Sequence, residues 1–426
     1  MILILGGGLA GLSAAHHLRG VPHLVLEAEA SPGGLCRTRE VGGFSFDYTG
    51  HLLHLRDPRA IALVDRILPG AFETIRRRAF IRTRGATLPF PFQANLHGLP
   101  VGVVADCVAG FVESLGSEVP EGTEASFRDW SLAVFGRGIS EAFLFPYNAK
   151  LFRRDPVDMT ADWVSWSIPR PTLREVVRGA LGLGNEGMGY NPTFRYPRVG
   201  GIGIVPEALA RGIPTVRCGA RVGSVDLDRR TLTLENGERI GWDRLLVTIP
   251  LPGFLTMTGD AGLSEAAGRL DWSSVACLNL GVDREGVGDG AHWIYFPDAG
   301  VPFYRVGFPT AFARGVAPEG TSSMYVEIAF ANGDRPDLDS VEATTLDALR
   351  AEGVLRGSDR ILVKDWTIIE PGYVVFDRRR SEVLAAVVPR LEARGVQLAG
   401  RYGAWTYAYM ERAMLDGLEA ARRLAG

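Results

Sequence analysis

Hydrophobic periodicity divides this chain into three kinds of segment. At the start, four apolar residues at positions 2–5 predict a short buried strand, and residues 9–18 place apolar side chains at helical spacing. From Pro100 to Arg178 the spacing is mainly helical, whereas short apolar runs between residues 277 and 376 predict consecutive strands. The pattern therefore predicts an α/β part, an inserted helical part and a mostly antiparallel sheet.

The turn after the first strand has the spacing of a dinucleotide-binding fingerprint. Gly6, Gly8 and Gly11 match G-x-G-x-x-G. In this motif the first glycine permits a tight turn, the second admits a pyrophosphate, and the third lets helix and strand pack closely. The phosphates would lie at the helix N-terminus, beside Leu9 and Ala10. Glycine-rich turns also occur without a ligand. Whether this turn binds a dinucleotide therefore depends on the segments that follow it.

A second strand and a second glycine turn supply that context. The strand after the helix ends at Glu27, close to the position where an acidic side chain binds the ribose hydroxyls, although a helix-capping acid is the alternative. Residues 30–38 then form another glycine turn, whose Gly34, Leu35 and Arg37 would hold the other side of the pyrophosphate. A nicotinamide domain needs no such turn here. The predicted cofactor is therefore FAD.

Later segments are predicted to border the same cavity. Gly50 and His51 end an alternating strand, where a glycine would let the backbone approach a flat ring; a turn glycine with a hydrogen-bonded histidine is the alternative. The proline-aromatic segment at 88–95 suits a pocket wall or a structural loop. The Gly-Gly turn within 193–203 is interpreted as part of the flavin cavity. Val222 ends the first strand of a small predicted meander, which would close over the adenine end, and its backbone would pair with the ring.

Composition and charge narrow the class of protein. The 426 residues, 46% of them hydrophobic, can form the cores of two or three domains, and a net charge of -3 with interspersed signs predicts no nucleic-acid face. No metal spacing and no run long enough for a transmembrane helix is found. No leader-type segment is recognised, so a cytoplasmic protein is expected. Free thiols are expected at the four scattered cysteines, Cys36, Cys107, Cys218 and Cys277.

Five further segments resemble a known family. In chain order they read LPFPFQAN at 88–95, PYNAK at 146–150, TFRYP at 193–197, PFYR at 302–305 and GRYGAWTY at 400–407. The glycine turns are similar to the glutathione-reductase-like group that holds amine oxidases, protoporphyrinogen oxidases and phytoene desaturases. The five segments resemble UDP-galactopyranose mutases, particularly those of the eukaryotic type, over nearly the whole chain.

This resemblance implies the domain organisation. We expect a glutathione-reductase-like FAD-binding Rossmann domain, an inserted helical domain and a mostly antiparallel sheet domain. The expected boundaries are 1–90, 190–250 and 395–426 for the FAD-binding domain, 91–189 for the helical cap and 251–394 for the substrate domain. The late strand and Gly-Arg turn would thus complete the first domain from its C-terminal side.

The resemblance also implies an activity. In that family reduced FAD attacks the anomeric carbon of a sugar through N5, and the sugar recloses as the furanose without net electron transfer. We therefore expect a small-molecule substrate, either a sugar nucleotide or a related glycosyl compound. The reduced flavin would be the active form, and an external reductant such as NAD(P)H would supply its electrons.

Residue roles follow from the matched segments. Gly50 and His51 would lie against the isoalloxazine, and Arg305 would clamp the diphosphate through its planar guanidinium; these are the predicted catalytic residues. Gly400 and Arg401 would contact the cofactor. The predicted substrate contacts also include Gln93, Asn148, Phe152, Tyr373 and Tyr407, the last of which would touch the cofactor as well.

Two of the predicted substrate positions depart from the family pattern. The family has a second diphosphate arginine where this chain has Ser167, and Arg170 or Arg174 would have to replace it. Glu411 stands where the family has an asparagine, and its charge would repel a diphosphate or bind a hydroxyl or an amine instead. Two alternatives therefore stay open: an FAD oxidase or desaturase of an amine, porphyrinogen or polyene, and a flavin-binding protein without activity.

Overall fold

The computed structural model describes residues 1–120, 122, 125–164, 168–184 and 192–426. The strands of the first half are β1 (Ile2–Leu5), β2 (His23–Leu26), β3 (Thr38–Val41), β4 (Phe44–Asp47), β5 (Phe72–Arg76), β6 (Ala79–Thr83), β7 (Ala86–Pro89), β8 (Thr193–Pro197) and β9 (Val216–Arg217). The later strands are β10 (Val222–Asp226), β11 (Thr231–Leu234), β12 (Arg239–Gly241), β13 (Arg244–Val247), β14 (Trp272–Val282), β15 (Trp293–Tyr295), β16 (Arg305–Gly307), β17 (Ser322–Ala331), β18 (Ile361–Val374) and β19 (Val396–Leu398).

The α-helices are distributed between and after these strands. They are α1 (Leu9–His17), α2 (Pro58–Ile67), α3 (Val101–Ser114), α4 (Phe127–Ile139), α5 (Phe145–Phe152), α6 (Leu173–Ala180), α7 (Ile204–Arg211), α8 (Leu251–Met257), α9 (Ala261–Gly268), α10 (Leu338–Ala351), α11 (Arg378–Glu392), α12 (Gly400–Gly403) and α13 (Met410–Ala425). A short π-helix, Ser140–Leu144, joins α4 to α5.

A five-stranded parallel sheet forms the nucleotide-binding part. Its strand order is β19-β13-β1-β2-β9, and every neighbouring pair is parallel. The apolar run of β1 is buried on both faces, as the central strand of a parallel sheet requires. α1 and α13 pack closely, because a Cβ atom on Gly417 would lie only 2.3 Å from the Ala10 carbonyl oxygen. The predicted Rossmann-type part, completed from the C-terminal side, is confirmed.

A seven-stranded sheet forms the second layer. Its order is β18-β14-β17-β16-β15-β6-β7, and its pairs are antiparallel except β15 with β6. The predicted mostly antiparallel sheet is therefore confirmed. One expected assignment differs from the structure. The hairpin β6–β7 lies within residues 1–90, which were expected to belong to the FAD-binding domain, but β6 pairs with β15 of the seven-stranded sheet. Hydrophobic periodicity can predict the hairpin, but it cannot predict which distant strand the hairpin pairs with.

The helical insert contains α3, α4, α5 and α6. As the sequence predicts, α4 begins after Ser126, whose side chain accepts a hydrogen bond from the backbone N–H of Asp129. α3 and α4 approach closely at Gly110 and Gly136, since a Cβ atom on Gly136 would lie 1.9 Å from the Gly110 carbonyl oxygen. The limits of the insert, expected at 91–189, stay a prediction.

Other sequence features are placed as follows. All four cysteines are free, and three of them are buried. Among the described residues, no helix has the length and apolar character needed to cross a bilayer. The same residues contain no group of three or more potential metal ligands.

Candidate functional site

One cavity of about 870 Å³ lies between the parallel sheet, the seven-stranded sheet and α5. Most of the predicted site residues line it, although they come from segments far apart in sequence. Its position at the carboxyl end of β1 is where parallel sheets bind their ligands. A cavity of this size is large enough for a small-molecule site.

The cofactor end of the cavity is built by the two predicted glycine turns. Gly8 and Gly34 both line it, and a Cβ atom on Gly34 would lie 3.2 Å from the Gly8 Cα atom. Gly6 has φ +103, and a Cβ atom on Gly11 would lie 2.0 Å from the Gly6 carbonyl oxygen. Glycine is therefore required at both positions for the turn to lead into α1, whose N-terminus faces the cavity. Leu9, Ala10 and Leu35 complete this end.

Glu27, at the end of β2, contacts both glycine turns. Its carboxylate accepts hydrogen bonds from the backbone N–H groups of Gly7, at 2.7 Å, and Glu29, at 2.9 Å. The guanidinium of Arg37 lies 3.5 Å away and keeps a buried Nε without a hydrogen-bond partner. A buried acid at the end of β2 and an unpartnered arginine donor next to it suit the binding of the ribose and the phosphates of a dinucleotide.

Gly50 and His51 line the middle of the cavity. A Cβ atom on Gly50 would lie 2.2 Å from the Tyr325 hydroxyl oxygen, so this glycine is needed for packing against Tyr325. From the sequence, this glycine was explained by the approach of a flat ring. The contacts within the protein explain it by the Tyr325 side chain instead. Burial, with the nearby Arg401 charge, lowers the pKa of His51 to about 4, and its imidazole is neutral at pH 7.

Arg401 is a half-buried cation whose guanidinium is surrounded by aromatic rings. Its guanidinium carbon lies 5.1 Å from the Tyr373 ring centre, 5.8 Å from that of Tyr402 and 4.8 Å from that of Tyr407. Its Nη2 donates to the Gly372 carbonyl at 2.9 Å, but its buried Nε has no partner. No carboxylate in the described part of the chain forms an ion pair with it. A ligand with acceptor atoms would complete this group, which lines the cavity.

Arg305 is a further cationic group of the cavity, and its guanidinium has a carboxylate partner. Its Nε and Nη2 donate to the two carboxylate oxygens of Glu327, the Nη2 bond being 2.7 Å long. Glu327 is fully buried. Burial is the largest single effect on the pKa of Arg305 and lowers it, but the Glu327 carboxylate, together with Tyr325 and Tyr373, raises the pKa well above its usual value. Three of the five guanidinium N–H groups remain for a ligand.

The other predicted substrate contacts that the structure describes, apart from Glu411, line the same cavity as Arg305. The main chain holds two of them: Gln93 donates to the Pro169 carbonyl at 2.6 Å, and Asn148 donates to the Leu144 carbonyl at 2.7 Å. The structure thus brings together the predicted contacts Gln93, Asn148, Phe152, Arg305, Tyr373 and Tyr407.

Family membership follows from a comparison of the whole chain. The model of the family described as flavin containing amine oxidoreductase matches residues 9–425. The chain belongs to this family. Its cofactor is FAD, in agreement with the prediction and with the glycine turns, Glu27 and Arg37 described above.

Solved structures agree with this assignment. A crystal structure of reduced UDP-galactopyranose mutase is 28% identical, with a TM-score of 0.93, and the match covers 100% of this chain and 93% of that one. The resemblance predicted from the sequence is thereby confirmed. A putative protoporphyrinogen oxidase from Exiguobacterium sp. 255-15 is 18% identical, with a TM-score of 0.73 and coverage of 99% and 98%.

A third structure extends the comparison to an oxidase. Cyclohexylamine oxidase from Brevibacterium oxydans IH-35A is 15% identical, with a TM-score of 0.69, and the match covers 100% of this chain and 98% of that one. At such identities the likeness to the two oxidases shows the fold alone. The flavoenzyme fold is thus shared with proteins of more than one activity.

Several tyrosines of the flavoenzyme cavity had not been predicted. They are Tyr147, Tyr295, Tyr304, Tyr325 and Tyr402. Tyr147 and Tyr304 lie next to matched residues in the PYNAK and PFYR segments, and this adjacency was the available signal. Tyr325 carries no local signal, because its contacts with Gly50 and Gly307 join distant segments. Glu327 was missed for the same reason.

Glu411, predicted to contact the substrate, lies elsewhere in the structure. Its carboxylate is buried and accepts hydrogen bonds from the backbone N–H groups of Arg56 and Asp57, the latter at 2.7 Å. It does not line the cavity, whereas its neighbours Tyr409 and Met410 do. The helical turn at the start of α13 directs this side chain toward the segment before α2. Glu411 therefore lies outside the cavity in which a substrate contact was predicted.

The predicted replacements for the second arginine also lie elsewhere. Arg170 stacks on the Trp130 ring at 5.3 Å, and Arg174 is exposed on α6. Neither lines the cavity. Ser167 lies outside the described residues.

Two other predicted cavity elements do not line it. The Gly-Gly turn after β8 packs instead on β3 and β4, where a Cβ atom on Gly201 would lie 2.2 Å from Thr38 Oγ1. Val222 pairs with Leu234 in the three-stranded meander and is not a lining residue. In both cases the sequence predicts the local structure, but the position of the segment depends on the surface against which it packs.

A second cleft adjoins the flavin cavity and shares Arg77 and Phe90 with it. Its volume is about 1050 Å³. The charged side chains around it are Glu73, Arg76, Arg77, Arg78, Arg198 and Arg314. Arginines therefore outnumber acids around this cleft.

Proposed function

We propose that this flavoenzyme interconverts the pyranose and furanose forms of a nucleotide sugar or a related glycosyl compound. One observation carries the proposal: the cavity that holds the flavin-binding turns also contains Arg305, Gln93 and Asn148. The mutase likeness covers the full chain at 28% identity and supports it. When bound and reduced, FAD supplies a nucleophilic N5.

Arg305 would bind the departing diphosphate. Its remaining N–H groups offer the planar donor set that phosphate oxygens prefer, and Glu327 holds the guanidinium in one orientation. The same carboxylate reduces the net charge that Arg305 presents to a ligand. The site therefore stabilises a leaving anion by directed hydrogen bonds more than by uncompensated charge.

The aromatic rings would exclude water from the reacting sugar. Tyr147 stacks on Phe143 at 5.3 Å and meets Tyr295 edge to face at 5.4 Å, while Phe152 contacts Tyr373 at 6.0 Å. A water-poor cavity strengthens the hydrogen bonds of Arg305 and protects an open-chain sugar from side reactions. The buried Tyr304 hydroxyl has no partner and would bind a sugar or phosphate oxygen.

A flavin-dependent oxidation is the second candidate. Two observations favour it: Glu327 compensates the Arg305 charge, and neither Arg170 nor Arg174 lines the cavity. At Arg305 itself, an uncharged substrate would fit this compensated pair without the second cation that a diphosphate calls for. The shared fold of the oxidases is compatible with this alternative.

One experiment separates the two functions. Photoreduced protein is incubated with UDP-galactofuranose under anaerobic conditions, and oxidised protein is incubated with candidate amines in air. Conversion to UDP-galactopyranose only by the reduced protein, without net loss of reducing equivalents, supports the mutase proposal. Stoichiometric hydrogen peroxide from the oxidised protein would establish the oxidase instead.

A further inference from the structure

Lysine is rare in this chain. Lysine and arginine together number 46, and only Lys150 and Lys364 are lysines. Lys364, on β18, forms an ion pair with Glu342 and has 45% of its side chain exposed. Lys150 is half-buried near the end of α5, and its ammonium donates to main-chain carbonyl groups instead.

The Lys150 ammonium binds three carbonyl oxygens of one loop, residues 296–303. The distances from its Nζ atom are 2.8 Å to Phe296, 2.6 Å to Asp298 and 3.1 Å to Phe303. An ammonium group has three N–H donors, so this arrangement uses all of them. The guanidinium of arginine directs its donors within one plane and does not reproduce this geometry. The need for three donors from one atom explains a lysine in a chain that otherwise uses arginine.

The loop that Lys150 binds joins β15 to β16 and is held by the seven-stranded sheet. The side chain of Asp298 accepts a hydrogen bond from the Thr83 hydroxyl at 2.5 Å. It accepts another from the backbone N–H of Arg84 at 3.0 Å, in the turn between β6 and β7. Lys150 therefore attaches the helical insert to a loop that the sheet already fixes.

Both sides of this attachment line the flavin cavity. α5 contributes Tyr147 and Asn148, while Tyr295 and Arg305 come from the strands on either side of the loop. The Tyr147 and Tyr295 rings meet edge to face with their centres 5.4 Å apart, so the two walls touch. Lys150 itself does not line the cavity. It lies two residues after Asn148, and the loop that it binds ends two residues before Arg305.

We propose that Lys150 is a positioning residue whose ammonium fixes the α5 wall of the cavity relative to Arg305. The inference rests on the proposed function, in which Asn148 and Arg305 would contact different parts of one nucleotide sugar. Without the ammonium, three carbonyl groups lose their shared donor and the walls are free to separate. A bound ligand adapts to such a change, but a reaction does not, since a displacement of about 1 Å can slow it about 100-fold. Turnover should therefore depend on Lys150 more than binding does.

The titration of Lys150 supplies a signature of this role. Burial lowers the pKa of its ammonium to about 8, although the acids Asp298 and Glu352 act in the opposite direction. The neighbouring basic side chain is Arg82 of β6, whose guanidinium carbon lies 6.0 Å from the Phe296 ring centre. Above pH 8 the neutral amine keeps two N–H donors for three carbonyl groups, so one hydrogen bond is lost. An arginine at this position would stay protonated.

The first test compares turnover of UDP-galactofuranose by photoreduced, FAD-bound wild type and variants. Lys150→Met and Lys150→Arg should each lower kcat by about tenfold or more, while KM and the Kd of UDP change by less than about threefold. Lys364→Met is the matched control, because it removes the ammonium of a pair outside the cavity, and it should equal wild type. The kcat of wild type should fall above pH 8, whereas that of Lys150→Arg should not. A higher KM with unchanged kcat, or an equal loss in Lys364→Met, would overturn the inference.

The second test measures hydrogen exchange of the FAD-bound protein without substrate. Lys150→Met should reduce protection at 145–152 and 296–305 and leave 2–26 unchanged. In wild type, protection of the first two segments, corrected for intrinsic rates, should fall between pH 7 and pH 9, and in Lys150→Arg it should not. If wild type converts no UDP-galactofuranose, the proposed function fails and this measurement decides the inference by itself. The wild-type comparison needs no variant to fold, and protection that does not change with pH would overturn the role of Lys150.

Discussion

Glu327 should control both stability and anion binding. Glu327→Gln keeps the side-chain shape but removes the charge and one of the two acceptors that bind Arg305. Because Glu327 is 0% exposed and the Arg305 side chain only 18%, this is a buried pair. A charge-assisted hydrogen bond contributes about 1.5–3 kcal/mol, and breaking a buried pair costs about 3–5 kcal/mol. We expect the variant to lose about 3 kcal/mol of unfolding free energy without ligand.

The same change should strengthen UDP binding. In the variant, Arg305 no longer has a negatively charged partner, and the diphosphate of UDP can take that place. The repulsion between Glu327 and the diphosphate is also removed, so the binding free energy of UDP becomes more favourable. We expect at least a tenfold lower Kd, which corresponds to about 1.4 kcal/mol. UDP should therefore raise the melting temperature of the variant more than that of wild type.

Thermal melts with and without UDP, together with flavin-fluorescence titrations, measure both effects. The matched control is Glu238→Gln, which removes a carboxylate from an exposed pair with Arg217 and should change neither quantity. The reasoning is refuted if Glu327→Gln is as stable as wild type without ligand, or if its affinity for UDP falls.

Three further predictions concern other parts of the site. Gly8→Ala should keep the fold, because the added Cβ would lie 3.8 Å from Gly34 Cα, but should lose FAD; an absorbance spectrum with full flavin would contradict this. Glu411→Gln should lower the melting temperature and leave UDP affinity unchanged, since its carboxylate binds the main chain before α2; an altered Kd in fluorescence titration would place it at the substrate. His51 should destabilise the protein as pH falls from about 6.5 toward 4, because its folded pKa is about 4 and the unfolded chain takes up the proton first. At pH 5 this amounts to about 2 kcal/mol, which denaturant titrations should show to be absent in His51→Gln.

Much of the local structure could be predicted from the sequence, because it depends on neighbouring residues. The spacing of Gly6, Gly8 and Gly11 predicted the turn into α1, and the serine at 126 predicted the start of α4. The matched segment around Arg305 likewise predicted a cavity residue. Backbone sterics, helix capping and side-chain periodicity act within a few residues, so they are visible in one sequence.

Only the tertiary structure decided which segments meet. Glu327 pairs with Arg305 because β16 and β17 are neighbours, and Gly50 must be glycine because Tyr325 from β17 occupies the space of its side chain. Glu411 faces the main chain before α2 rather than the cavity because of its place on α13. These contacts join residues tens to hundreds of positions apart. The free energy of packing and charge pairing selects them, and no pattern within a short window encodes that selection.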